Sequence, residues 1–175
     1  MKKLLAIIAF AITLCFSTLQ SSAQTATFGY TDTESVLSQL NDYKDAQEQL
    51  NKIAQQWNDE IQQKYKEIDA AYKKFQAEQV LLTDSDRKKR EEDIVAKEKE
   101  ARDMQKAKFG TNGELQKKRE ELVKPIQEKV YAAIEKVAAR KRLDFVFDKS
   151  NGVTMLYANP KFDITEDLLK ELGIK

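Results

Sequence analysis

The sequence predicts an α+β chain, mainly α: one long antiparallel helical hairpin on a small three-stranded β body. Three observations predict it. Residues 34–141 are almost all helix formers and carry an apolar stripe at helical spacing. That stretch is interrupted once, at Thr83-Asp84-Ser85-Asp86, by residues that cap a new helix. Short segments of alternating character flank it on both sides.

Residues 1–23 read as an export signal, with cleavage expected after Ala23. Lys2 and Lys3 precede an apolar run from Leu4 to Phe16, and Ser21-Ser22-Ala23 supplies the small residues of a cleavage site. The run is shorter than the ~20 residues that a spanning helix needs. Cys15 lies inside it behind Leu14, which is not the small residue a lipoprotein signal requires.

The first strand is expected at 27–31, with Phe28 and Tyr30 on one face. An ascending helix follows from about Asp42 to Leu82. Its stripe is Tyr43, Ala46, Leu50, Ile53, Trp57, Ile61, Tyr65, Ile68, Tyr72 and Phe75, with a mean step of about 3.6. A returning helix runs from about Ser85 to Lys141, with Ile94, Ala101 and Met104, then Leu115, Leu122, Ile126, Val130, Ala133 and Val137. In an antiparallel pair, facing residues share one index sum. Phe75/Ile94, Ile68/Ala101, Tyr65/Met104, Ala46/Val123 and Tyr43/Ile126 all do so, which centres the turn between Asp84 and Ser85. At 1.5 Å per residue the two helices measure ~60 Å and ~85 Å.

The same register places Trp57 opposite Asn112, between Gly110 and Gly113. Because it holds on both sides of 110–113, the returning helix is expected to continue through the glycines, bent or locally loosened; the alternative is a plain turn between two helices. Pro125 adds a kink near the base. A second strand is expected at 143–148 and a third at 153–158, joined by an Asn151-Gly152 hairpin turn. Asn159-Pro160 stops the third strand. A last helix spans about Ile164 to Leu172, with Asp163 and Glu166 spaced as a capping box. The division is thus a signal at 1–23, a β body from 24–40 and 126–175, and a hairpin at 41–125 with its tip near 83–86.

Composition removes many functions. Thirty basic against 29 acidic residues gives a net charge of +1, so there is no field for a nucleic acid, and none is expected as partner. There is no His, and the lone Cys is in the signal, so no metal, cofactor or thiol chemistry is expected and the chain does not read as an enzyme. Gly110-x-x-Gly113 lacks the Lys of a phosphate loop. Arg87-Lys88-Lys89-Arg90 runs directly into Glu91-Glu92-Asp93, a solvated face; its other reading is a tip that transiently meets an anionic membrane surface. Tyr72, Phe75, Leu81 and Leu82, near the tip, are the candidates for apolar contact with a client. Three short strands leave edges that one chain cannot cover, so the body predicts an oligomer. Phe28, Tyr30, Phe145, Phe147, Met155 and Tyr157 are its candidate contact residues.

The order of these parts resembles the Skp/OmpH family of periplasmic chaperones. The resemblance rests on an export signal, a strand ending in Tyr30-Thr31-Asp32, the long charged hairpin, Leu122-Val123-Lys124-Pro125-Ile126, Leu143 to Asp148, and Tyr157-Ala158-Asn159-Pro160 before Asp163-Ile164-Thr165. It implies a homotrimer with a joint β-barrel body and three helical tentacles around a cavity. It also implies a periplasmic holdase that keeps unfolded outer-membrane proteins from aggregating without ATP. The glycines at 110 and 113 depart from an uninterrupted tentacle. The alternative reading is a structural coiled-coil spacer or adaptor of the cell envelope.

Overall fold

The computed structural model describes residues 26–150 and 155–174; the expected export signal and the Asn151-Gly152 turn lie outside them. Strand β1 (Phe28–Thr31) is followed by a short helix α1 (Thr33–Gln39) and a long helix α2 (Asn41–Glu78). A 3-10 turn, Gln79–Leu81, closes the tip. Helices α3 (Asp84–Phe109) and α4 (Glu114–Lys141) return to the base. Strand β2 (Phe145–Asp148), a 3-10 turn at Pro160–Phe162 and helix α5 (Thr165–Glu171) complete the chain.

Local chemistry sets most boundaries. Asp32 caps α1 by accepting from Ser35 N at 2.9 Å, and Thr83 caps α3 by accepting from Asp86 N at 3.1 Å. Asp84 and Asp86 sit at the positive end of α3, while Lys106 and Lys108 sit at its negative end. Helix α4 ends in a Schellman motif: Leu143 N donates to Ala138 O at 2.9 Å and Arg142 N to Ala139 O at 3.2 Å. Arg142 holds the left-handed position there, at φ 56°. In α5 the Asp163 carboxylate receives Thr165 N at 2.8 Å, in place of the expected box in which it would serve the helix from the N-cap. The N-cap is Ile164, which has no side-chain acceptor.

The strands pair in parallel, Phe28 with Phe145 and Tyr30 with Phe147, so the whole hairpin is the crossover between them. One face of the sheet looks into the core. A Cβ on Gly29 would lie 2.7 Å from Leu143 Cδ1, the end of a flexible side chain that would have to shift to admit it. The expected third strand is not formed over its described part: residues 155–158 are irregular, and 153–154 lie outside the described residues. The edge of β1 is instead occupied by a single bridge to Asp163, with Ile164 N donating to Tyr30 O at 2.9 Å. Among the described residues, β2 has no strand on its outer edge.

Two apolar clusters hold the chain. The basal one joins α1, the foot of α2, α4 and α5 through Val36, Leu40, Ile126, Val130, Val137 and Leu168, among others. Val36, Val137 and Leu168 are wholly enclosed, each contributing about 1.5–3 kcal/mol. The outer one joins α2 to α3 through Ile68, Phe75, Ile94 and Ala101. These four are the residues paired by the index sum, so the hairpin register holds in the outer arm. Tyr43 packs on the cluster that contains Ile126, as the same register requires.

The returning helix is not continuous. It stops at Phe109 and restarts at Glu114. Gly110 N still reaches Lys106 O at 2.9 Å, Gly113 N then folds back to Gly110 O at 2.8 Å, and Asn112 takes φ 60°. Asn is one of the few side chains that tolerate this conformation. A four-residue turn of this kind restarts the helix with little loss of axial register, which is why the index sum survives a full break.

Candidate functional site

Three surface regions carry most of the residues singled out by sequence, and a polar hub ties the strands to the helices beside them. The first region is the outward face of the sheet. The rings of Phe28 and Phe145 stack with centroids 5.7 Å apart, and those of Phe28 and Phe147 lie 6.1 Å apart. All three remain exposed, at 47%, 54% and 41%. Parallel register is what gathers them, since alternation alone puts each on a face but not on the same face of one sheet. Tyr30 lies beside them and is buried, with Lys149 Nζ 5.5 Å over its ring. Met155 is half-buried and Tyr157 exposed, both outside any strand, so neither joins this aromatic face through the sheet.

The second region is the tip. Tyr72 is exposed and Leu81 stands almost wholly in solvent. Phe75 does not: its ring is buried between α2 and α3, and Leu82 packs partly against the same cluster. The stripe spacing explains the correction, because Phe75 shares the seam phase of Ile68. Val80 and Val95 are exposed as well, at 82% and 60%, and were not singled out by sequence. The 3-10 turn turns Val80 outward; its only sequence signal was adjacency to Leu81 and Leu82.

The third region is the break in the arm. Trp57 does not fill a space left by the glycines. Its ring meets Phe109 edge to face, centroids 6.2 Å apart, and Lys108 Nζ sits 4.5 Å over it. The glycines face backbone instead: a Cβ at Gly110 would lie 2.4 Å from Lys106 O, and one at Gly113 2.8 Å from Gly110 O. Lys108 also pairs with Glu114 at 2.6 Å, spanning the break.

The polar hub lies where β1, β2 and α5 converge. Asp148 accepts from Thr33 N at 3.1 Å and from Ser150 N at 3.0 Å. Burial opposes its charge, but the donors from Thr33 and Ser150 outweigh this and hold its carboxyl below the usual range. Asp163 is lowered in the same way, against burial, by Thr165 and then Lys149. At the opposite end of the two strands, Asp144 receives Thr27 N at 2.7 Å and the Thr27 hydroxyl, and is lowered chiefly by that backbone bond. Carboxylates held this way are fixed acceptors, not acid–base groups poised near neutral pH. Among the described residues no cluster of acidic side chains is arranged to hold a metal, and no helix is long and apolar enough to cross a membrane.

A small α/β body carrying a long helical hairpin, aromatic on the body and apolar at the tip, defines an arm-bearing α+β protein by class. The family described as Outer membrane protein (OmpH-like) matches residues 27–172, and the chain belongs to that family. A protein of Aquifex aeolicus (strain VF5), described only as uncharacterized, is 30% identical over 145 residues, covering 83% of this chain and 85% of that one. Among solved structures, a chain from Caulobacter crescentus CB15, described as a candidate outer membrane chaperone (OmpH-like), superposes with a TM-score of 0.68. It covers 85% of this chain and 83% of its own, at 15% identity, and so supports the fold.

Proposed function

We propose that this protein is an ATP-independent holdase of the periplasm, which binds unfolded outer-membrane proteins after export and prevents their aggregation. The observation that carries the reading is the distribution of exposed apolar groups. They are scattered along a charged arm, at Tyr65, Tyr72, Val80, Leu81, Val95 and Phe109, and on the body they gather at the face of Phe28, Phe145 and Phe147 and at Leu156 and Tyr157. Isolated groups on a charged arm suit a client with no fixed shape, since many weak contacts add by avidity. The aromatic body face and the open edge of β2 suit assembly with further copies. Membership of the OmpH-like family supports both halves of the reading, and the homotrimer follows from the family resemblance.

Leu81 projects near Arg87, Lys88, Lys89 and Arg90 at the same tip. That combination favours transient contact with an anionic membrane surface, where apolar and basic groups act together. The residues at 1–23 support export.

The test is dilution of a urea-denatured outer-membrane β-barrel protein into buffer, with and without this protein and without nucleotide. Suppressed light scattering at stoichiometric protein is the expected result. A spacer or adaptor of the envelope would leave the scattering unchanged.

A further inference from the structure

We propose that the break in the arm is a seat for one class of client segment: an aromatic side chain next to a carboxylate in an extended polypeptide. The inference rests on the holdase reading and gives it a site.

The helix ends at Phe109, whose ring is held on one side by Trp57 and remains 38% exposed on the other. Three clefts meet at this ring. One runs toward Leu115 and Arg119 on α4, one toward Arg102 and Lys106 on α3, and one across to Asn51, Gln55 and Asn58 on α2. No carboxylate lines any of them. Cations line the clefts around an apolar ring, while the nearest carboxylates, Glu98, Asp103 and Asp59, stand outside the lining.

Arg102 is shared with Glu98 at 3.4 Å, a solvent-exposed pair that exchanges readily. Arg119 and Lys106 are exposed. A guanidinium offers a planar fork that matches a carboxylate, and Phe109 offers a face or edge to a second ring. The α2 wall decides between a polypeptide and a simple anion. Asn and Gln amides present donor and acceptor together, which matches the alternating groups of an extended peptide backbone. Gln55 already donates to Asp59 at 2.8 Å, which leaves its carbonyl oxygen free to accept a peptide N–H.

The chain's single Trp is at 57, so it reports on this place alone. Short Trp-free peptides carrying Phe flanked by Asp are titrated into the exported protein and followed by Trp57 emission. Matched peptides replace Asp by Asn or by Lys, or Phe by Ala. The Phe–Asp peptide should bind tightest, about two- to fivefold over its Asn form, and Arg119→Gln should erase that preference. Phe109→Leu keeps the apolar packing and should weaken every Phe peptide, while circular dichroism confirms an intact arm. Equal binding of the Asp and Lys peptides, or a preference that survives Arg119→Gln, would overturn the proposal. So would displacement of the peptide signal by anionic vesicles whose own binding needs no peptide-like group, since the seat would then be for headgroups. The aggregation assay separates the two levels. Wild-type protection without peptide discrimination refutes the seat and leaves the holdase reading standing. Discrimination without protection does the reverse.

Discussion

Trp57 and Phe109 meet edge to face at the level where the returning helix breaks, and Lys108 covers the indole from above. The contact ties α2 to the last residue of α3. It therefore clamps the outer arm at the point where the backbone is weakest. Phe109→Ala should shift the emission of the sole Trp to longer wavelength and destabilise the hairpin by about 1 kcal/mol. Unchanged emission would mean that Phe109 does not shield the indole.

The glycines of the break give a prediction whose sign separates two explanations. On helix propensity alone, Gly113→Ala should stabilise by up to about 1 kcal/mol. The geometry predicts the opposite, because the added Cβ would meet Gly110 O at 2.8 Å and Ala107 O at 2.9 Å. A loss of about 1–3 kcal/mol in urea denaturation is expected. A gain would show that the turn converts readily to helix.

The arm was legible in sequence because its stripe repeats over many turns, and because Thr83 marks the tip with a cap that the structure uses. At the break, sequence reasoning favoured a bent helix over the turn that forms there. A periodic stripe reports the phase of each helix but not the continuity of its backbone, and Asn112 supplies the left-handed residue that lets four residues turn without dephasing it. The body was harder to read. Alternation at 143–148 found a strand, but not that it runs parallel to β1, and that pairing is what assembles Phe28, Phe145 and Phe147. Alternation at 155–158 did not make a strand beside them. Phe75 carried two readings in sequence, seam partner of Ile94 and apolar contact near the tip, and the structure seats it in the seam.

Acid should loosen the body. The folded-state carboxyls of Asp148 and Asp163 lie below their ordinary values, so their stabilisation is present above about pH 4 and is lost as pH falls through the lower folded values. Asp148→Asn should lower stability at neutral pH by about 1–2 kcal/mol, and its deficit against wild type should shrink on acidification. A deficit that stays constant with pH would place the effect in packing instead of charge.

The aromatic body face should be the contact between copies. Replacing both Phe145 and Phe147 with Asp removes about 2 kcal/mol of burial per residue and places charges in the interface. Sedimentation at micromolar concentration should show a trimer for wild type and a monomer for the double variant. A wild-type monomer would remove the assembly from the account.

The arm itself is the most direct test of the holdase reading. Joining Ala54 to Glu114 through a short turn deletes the tip, the outer cluster and the Trp57–Phe109 clamp, and keeps β1, β2 and the basal core. In the aggregation assay with a denatured outer-membrane β-barrel protein, this shortened protein should still trimerise and should lose its protection. Full protection by the shortened protein would place the client site on the body and contradict the account.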